Sequence, residues 1–145
     1  MAAKVGIDCK LYYNTATYDS PTWTELTTVG DVTLNLTKAQ ARLSSRANTF
    51  EAYKGAMKDI TLSFDMIWDS ANTGQTALQA SFFSGTVKDF LVLDGSSATA
   101  GSKGVRFDGE VMEFTRGEPL NDGVKLSVTV KPAYSSNAPV EYTAS

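Results

Sequence analysis

The sequence predicts a mainly β protein, an antiparallel β-sandwich or barrel of about six or seven strands with one flanking α-helix. Three observations predict it. Apolar residues recur at every second position in several segments, which is the period of a half-buried strand. Clusters of Asn, Asp, Ser, Gly and Pro separate those segments. Only the stretch around 77–83 switches to helical spacing. The 145 residues suit one domain over 1–145, a size that buries about 70% of the surface its unfolded chain exposes.

In chain order, Ile7, Cys9, Leu11 and Tyr13 alternate with Asp8, Lys10 and Tyr12, predicting a first strand with Cys9 as an inert core thiol. Tyr12 and Tyr13 are adjacent, so one of them is expected to point away from the core. Residues 14–21 have loop composition. A second alternation sets Val32, Leu34 and Leu36 against Asp31, Thr33 and Asn35. Over 37–54 the alternation is lost, and Lys38, Arg42 and Arg46 among small residues suggest a long excursion or an extended hairpin. The clearest strand is 58–68, where Ile60, Leu62, Phe64, Met66 and Trp68 make one apolar face and Asp59, Thr61, Ser63 and Asp65 the opposite, polar one.

Asn72-Thr73-Gly74 supplies a helix start, Leu78 and Phe82 a stripe, and Gly85 a stop. Residues 87–93 form a further strand ending at the turn signal Asp94-Gly95, and 96–103, rich in Ser, Ala and Gly, reads as mobile. Over 105–114 the parity breaks: Val105, Phe107 and Val111 share one phase, Met112 and Phe114 the other, so a β-bulge is expected near Gly109. Turn residues fill 118–123. The last strand, 125–131, points Leu126, Val128 and Val130 inward and Ser127 and Thr129 outward, and the tail 133–145 looks loose.

Composition removes whole classes of chemistry. The chain has no histidine, which excludes a Ser-His-Asp triad, a Cys-His pair and imidazole metal sites. Its single cysteine cannot form an internal disulfide. Thirteen cations against sixteen anions leave a net charge of −3, the wrong sign for tight nucleic-acid binding. No Gly-rich phosphate loop and no nucleophile elbow is present. Asp59 and Asp65 lie six residues apart along a strand, about 20 Å, too far for either glycosidase geometry. Asp108 and Glu110 read as a solvated strand face. No catalytic, cofactor or metal site is therefore expected. No apolar stretch is long enough to span a bilayer, and the start lacks the apolar run of a signal peptide, so synthesis in the cytoplasm and no membrane association are expected.

The polar strand faces hold Asp31, Thr33, Asn35, Asp59, Thr61, Ser63, Asp65, Ser127 and Thr129, which are short, hydroxyl-rich or acidic. A solvated outer face and the wall of a channel that must let a polyanion slide both fit such a set. Trp23 and the surface tyrosines leave open a carbohydrate-binding sandwich as a different class of function.

The order of features resembles the major tail tube proteins of long-tailed (siphovirus-type) bacteriophages. The resemblance rests on Gly6-Ile-Asp-Cys-Lys-Leu-Tyr-Tyr13, Trp23-Thr-Glu-Leu and Val29-Gly-Asp-Val-Thr-Leu34, then Arg42 and Arg46. It continues with Lys58-Asp-Ile-Thr-Leu-Ser-Phe64, Trp68-Asp69 and the helix 77–83, and closes with Phe114-Thr-Arg-Gly-Glu-Pro-Leu120 and Asp122-Gly-Val-Lys-Leu-Ser-Val-Thr-Val-Lys-Pro132. It implies a tail-tube β-sandwich whose copies form rings, usually hexameric, that stack into a hollow tube. One sheet of each copy would line the lumen, drawing on 31–36, 58–68, 105–114 and 125–131. The polar parities above, with Arg106, Asp108 and Glu110, would then face the channel. The excursion 37–54 would reach an adjoining ring, with Arg42 and Arg46 as inter-ring contacts. Implied partners are other copies of the chain, a tape-measure protein in the lumen, tail terminator and baseplate or tip proteins, and double-stranded DNA in transit. No cofactor or small-molecule substrate is implied, and the site of action is the tail of the virion. A tube from a contractile tail or a secretion device fits the same features.

Overall fold

The structure is a computed structural model that describes residues 3, 5–47 and 49–144. It contains strands β1 (Lys10–Asn14), β2 (Trp23–Glu25), β3 (Val29–Arg42) and β4 (Tyr53–Ile67), then helix α1 (Thr73–Ser84). Strands β5 (Lys88–Leu93), β6 (Lys103–Gly117), β7 (Lys125–Pro132) and β8 (Val140–Thr143) complete it. All pairings are antiparallel, in the order β2-β1-β5-β6-β7-β4-β3, with β8 also on β6.

Strand β6 belongs to two layers. Its first half pairs with β5 and β8, and its second half pairs with β7. The sheet therefore folds over along β6 into a sandwich, with β3, β4, β7 and the end of β6 in one layer and β2, β1, β5, β8 and the start of β6 in the other. The core lies between them: Ile60, Leu62, Phe64 and Met66 of β4 and Leu126, Val128 and Val130 of β7 meet Leu11, Tyr13, Phe90 and Phe107. Burying each large side chain contributes roughly 1.5–3 kcal/mol. The alternation read in 58–68 and 125–131 is thus the inner face of one layer.

Helix α1 is built as its residues suggest. The Asn72 side chain accepts from the Gln75 N–H at 3.1 Å, and Gly85 ends the helix at φ 67°, a left-handed conformation that glycine adopts without Cβ strain. Its buried side is Gly74, Gln75, Leu78 and Ser81, whereas Phe82 and Phe83 are exposed. Two polar residues hold that side in place: Gln75 Oε1 accepts from the Asp69 N–H at 2.7 Å, and Ser81 Oγ donates to the Thr86 carbonyl at 2.6 Å. The expected Leu78–Phe82 stripe is therefore only half right. Among the described residues no helix is long and apolar enough to cross a membrane.

Four other expectations need correction. Gly6–Asp8 is a 3₁₀ turn rather than strand, and Cys9 after it is exposed, so the thiol is not in the core. Tyr12 does point away from the main core that Tyr13 enters, as expected, but it is buried rather than left open, packing with Leu91, Leu93, Trp23 and Tyr142 on the other side. The tail is docked, with β8 on β6 and Ala144 buried, its N–H bonded to the Ser102 carbonyl. The serine-rich turn before β6 is tied down as well, the Ser97 N–H donating to Tyr12 Oη at 3.1 Å and the Gly101 N–H to the Ala144 carbonyl at 2.9 Å.

Candidate functional site: a polar sheet face and a projecting hairpin

Two features stand apart from the core: the outer face of the β3-β4-β7-β6 layer, and the hairpin by which β3 and β4 run beyond it. Cross-strand partners point to the same side of a sheet, so register shows which polar residues share the face. One row joins Thr33, Ser63, Thr129 and Glu113; another joins Asp65, Ser127 and Thr115. Asn35 pairs with Thr61, Thr37 with Asp59, and Glu110 with Lys131. Asp31, exposed, occupies the irregular stretch between the Val29–Met66 and Val32–Phe64 pairs.

These side chains bond to one another. Lys131 Nζ lies 2.8 Å from Asp59 Oδ2 and donates to Thr61 Oγ1 at the same distance, and Ser127 Oγ donates to Asp65 Oδ1 at 3.0 Å. The hydrogen bond from Lys131 pulls the Asp59 carboxyl below the usual Asp range, although partial desolvation acts the other way. A depressed folded-state pKa means that the contribution is present above the ordinary Asp value and is lost as pH falls through the lower one. In an NMR titration the Asp59 carboxyl should therefore titrate below an ordinary aspartate, and Lys131→Met should return it to the normal range. Identical midpoints in the two proteins would count against the pairing.

Two of the sequence-assigned residues are elsewhere. Arg106 and Asp108 share the parity of Glu110, but the fold of β6 carries them onto the outer side of the second layer, where both are largely buried. Arg106 Nη2 is 2.7 Å from Asp89 Oδ2 and donates to the Tyr18 carbonyl at 2.6 Å; its guanidinium stacks on the Tyr18 ring at 3.8 Å and on Trp23 at 5.0 Å. Burial disfavours its charge, but the Asp89 hydrogen bond and charge outweigh that, so its pKa is raised and it stays charged. Asp108 accepts from Ser135 Oγ at 2.6 Å and from Asn137 Nδ2 at 3.1 Å, anchoring the chain after β7. Both residues leave the polar-face set, and their place in the second layer also removes a cation that composition had put beside it.

Sequence reasoning missed Glu113 and Thr115. The bulge lies between the Val111–Val130 and Glu113–Thr129 pairs, at Met112 rather than near Gly109. That shift leaves Met112 exposed, keeps Val111 and Phe114 with the core and sets Glu113 and Thr115 on the polar face. The signal was present in the sequence, since an exposed Met112 fits the parity break as well as a buried one.

The span 37–54 is an extended hairpin. The β3–β4 ladder runs through Lys38–Lys58, Gln40–Gly55 and Arg42–Tyr53, and the Leu43 N–H bonds to the Ala52 carbonyl. From Ile60, about the last residue flanked by β7, to Tyr53 is seven residues, an overhang of roughly 23 Å. Arg42 at its end pairs with Glu51, and Arg46 lies exposed in the turn beyond. The long loop read from composition is thus paired strand at its base, in 37–42 and 53–54, with 43–52 as the connection.

Among the described residues no group of three or more acidic or cysteine side chains is placed to hold a metal ion. Trp23, the expected sugar platform, is half-buried between Arg106 and Tyr142, 6.1 Å from the latter ring, and offers no open face of its own layer.

No protein-family model matches the chain, and no curated protein does either. Solved structures do. The chain is similar to the SPP1 tail tube (TM-score 0.78, 8% identity, covering 97% of this chain and 80% of that one). It is also similar to the tail of an empty gene transfer agent particle refined with six-fold symmetry (TM-score 0.74, 14% identity, 99% and 100% covered). A third match is the sheath–tube complex of an extracellular contractile injection system (TM-score 0.66, 7% identity, 97% and 92% covered). The architecture, eight strands and one α-helix among the described residues, is the tail-tube fold.

Proposed function

We propose that the chain is the structural, non-enzymatic subunit of a bacteriophage tail tube. Copies join edge to edge into rings, six to a ring as in the gene transfer agent tail, and the rings stack around a lumen. The observation that carries the reading is one four-stranded layer that combines a short, polar outer face with edges that have no strand partner on either side. Among the described residues, the outer edge of β3 and the outer edge of β6 beyond Gly109 have no strand partner. Unpaired edges of this length are hazards in a monomer, and closure through neighbours removes them.

In such a ring the face bearing Thr33, Asn35, Asp59, Thr61, Ser63, Asp65, Glu110, Glu113, Ser127 and Thr129 is turned to the lumen. Its action is passive. Carboxylates repel phosphates, and the two lysines of the face, Lys125 and Lys131, each have a carboxylate within ion-pair distance, Asp122 and Asp59, which offsets their positive charge. The lumen holds the tape-measure protein first and passes double-stranded DNA later, and the tube ends meet terminator and baseplate proteins. The place of action is the virion tail. The likeness to the contractile sheath–tube complex supports a second setting for the same role, a tube inside a sheath.

Negative-stain and cryo-electron microscopy of the concentrated protein test the proposal. Hollow tubes of stacked rings are expected, with Thr33, Thr61 and Asp65 nearest the axis. Monomers under every assembly condition, or a map with those residues on the exterior, would overturn it.

A further inference from the structure

Three Asp-Gly dipeptides occur in the chain: Asp94-Gly95, Asp108-Gly109 and Asp122-Gly123. In such a pair the backbone nitrogen of the glycine can attack the side-chain carboxyl that precedes it, because no Cβ crowds the approach. The five-membered imide so formed reopens with water, mostly in the sense that routes the main chain through the side chain as isoaspartate. A given pair reacts only where the fold lets that nitrogen and that carboxyl meet. Two of the three pairs are held apart. Asp108 is buried, and its carboxylate accepts from Ser135 Oγ at 2.6 Å and from Asn137 Nδ2 at 3.1 Å. Gly109 is flanked by Lys88 of β5 and Pro132 of β7, and a Cβ there would lie 2.6 Å from Val130 Cγ1, so neither group has room to turn. Asp94 is half-buried, and its carboxylate accepts from the Lys103 N–H at 2.8 Å across the turn between β5 and β6. The Asp94 N–H, bonded to the Lys103 carbonyl at 3.0 Å, fixes the same end of the chain.

Asp122-Gly123 differs on each count. Both residues are exposed and lie between β6 and β7, outside either strand. The Gly123 N–H donates to Asp122 Oδ1 at 2.8 Å, so the nitrogen and the carboxyl that would react are already in contact. That hydrogen bond is the main influence holding the Asp122 carboxyl below the usual range. A Cβ at Gly123 would meet nothing within 4 Å, so the surroundings leave room for the ring to close. The other carboxylate oxygen, Oδ2, is 3.4 Å from the exposed Lys125 ammonium, a contact too weak to hold the side chain in place.

From this contrast we infer that Asp122 is a site of spontaneous isoaspartate formation, singled out by the fold from the three Asp-Gly pairs. In the first step a bond forms from Gly123 N to Asp122 Cγ and a Cγ–O bond breaks. The oxygen leaves as water, with one proton from the amide and one from solvent. In the second step water adds to the imide carbonyl on the Cα side, and the bond from that carbonyl to the nitrogen breaks. The nitrogen, still bonded to Cγ, recovers its proton, and the new α-carboxyl ionises to return the other. The mass is unchanged, the turn between β6 and β7 is longer by one methylene, and the carboxylate beside Lys125 has moved from the side chain to the main chain. The inference stands apart from the tail-tube reading.

The test ages the full folded chain in neutral buffer and maps its protease fragments by chromatography and mass spectrometry. An isoaspartate fragment has the mass of the original but elutes apart from it, and a protease that cuts before aspartate refuses it. The fragment holding Asp122 is expected to convert at least about tenfold faster than those holding Asp94 and Asp108, a difference of about 1.4 kcal/mol in barrier. In denaturant the three rates should converge. Gly123→Ala, which the open surroundings tolerate, should slow conversion at 122 by about tenfold. Asp122→Asn should speed it, because a neutral amide loses ammonia more readily than a carboxylate loses water. Equal rates at the three positions in the folded chain, a folded-state rate at 122 tenfold or more below that in denaturant, or a rate unmoved by Gly123→Ala would each overturn the inference. None of these outcomes bears on whether rings or tubes form.

Discussion

Gly104→Ala is expected to cost on the order of 4 kcal/mol or more, enough to remove much of the stability of a domain this size. The reason is local and steric. Gly104 lies in β6 where the strand is flanked on both sides, opposite Leu93 of β5 and Tyr142 of β8. A Cβ at this position would lie 1.6 Å from the Val92 carbonyl oxygen and 3.0 Å from Leu93 Cα. These are backbone atoms, so no rotamer change relieves the overlap, and β5 and β6 must separate. That opens the ladder joining the two layers at the strand both share. The thermal midpoint should fall by roughly 12 °C or more. Gly123→Ala serves as the control, because a Cβ there meets nothing within 4 Å; its effect should stay within about 0.5 kcal/mol. A Gly104→Ala protein melting within about 2 °C of wild type would show that the close approach is not enforced by the fold.

The same strand shows how far the sequence could be read. Where one face of a strand meets the core and the other meets solvent, period 2 is unambiguous, and Ile60 to Met66 and Leu126 to Val130 lie as the alternation indicates. Strand β1 is covered on both sides, so Leu11, Tyr12 and Tyr13 are all buried and parity carries no information there. Strand β6 changes layers midway. Its parity alone therefore could not tell that Glu110 stays with Lys131 while Arg106 and Asp108 move to the second layer, because that depends on which strand pairs on each side. The partner of Arg106 shows the same limit. Asp89 is distant in sequence and on another strand, and its nearness is a product of the β5–β6 register.

The hairpin was legible in part for a different reason. Beyond Ile60 the two strands have no second layer to cover, so neither face is selected for apolar residues and the alternation fades although the ladder continues. Loss of periodicity thus marked the end of the sandwich rather than the end of the strand. The polar face, by contrast, was readable residue by residue at Thr33 and Asn35 and over 59–65, whereas Asp31 falls in the irregular start of β3. What no residue pattern supplies is the direction that face takes in an assembly, since a channel wall and a solvated surface share the same chemistry until neighbours are present.

Arg106→Ala is expected to destabilise the chain by about 3–5 kcal/mol, because it leaves a buried carboxylate without its cation. The Arg106 and Asp89 side chains are only 11% and 8% exposed. Among the described residues, Asp89 without Arg106 keeps only the Asn14 amide, at 3.3 Å. The guanidinium also bonds the Tyr18 carbonyl and covers the Tyr18 and Trp23 rings, so its loss should loosen 15–22 and speed amide exchange there. Removing both charges together, as Arg106→Met with Asp89→Leu, should recover most of the lost stability, since an apolar pair of similar volume avoids the desolvation of two ions. A pair variant no more stable than Arg106→Ala would mean that the hydrogen bonds to the loop, not the balance of charge, dominate. The residues concerned lie in the layer away from the polar face. At temperatures where the paired variant is folded, it should therefore still form tubes, and a folded variant that does not would place the second layer, rather than the polar one, in control of assembly.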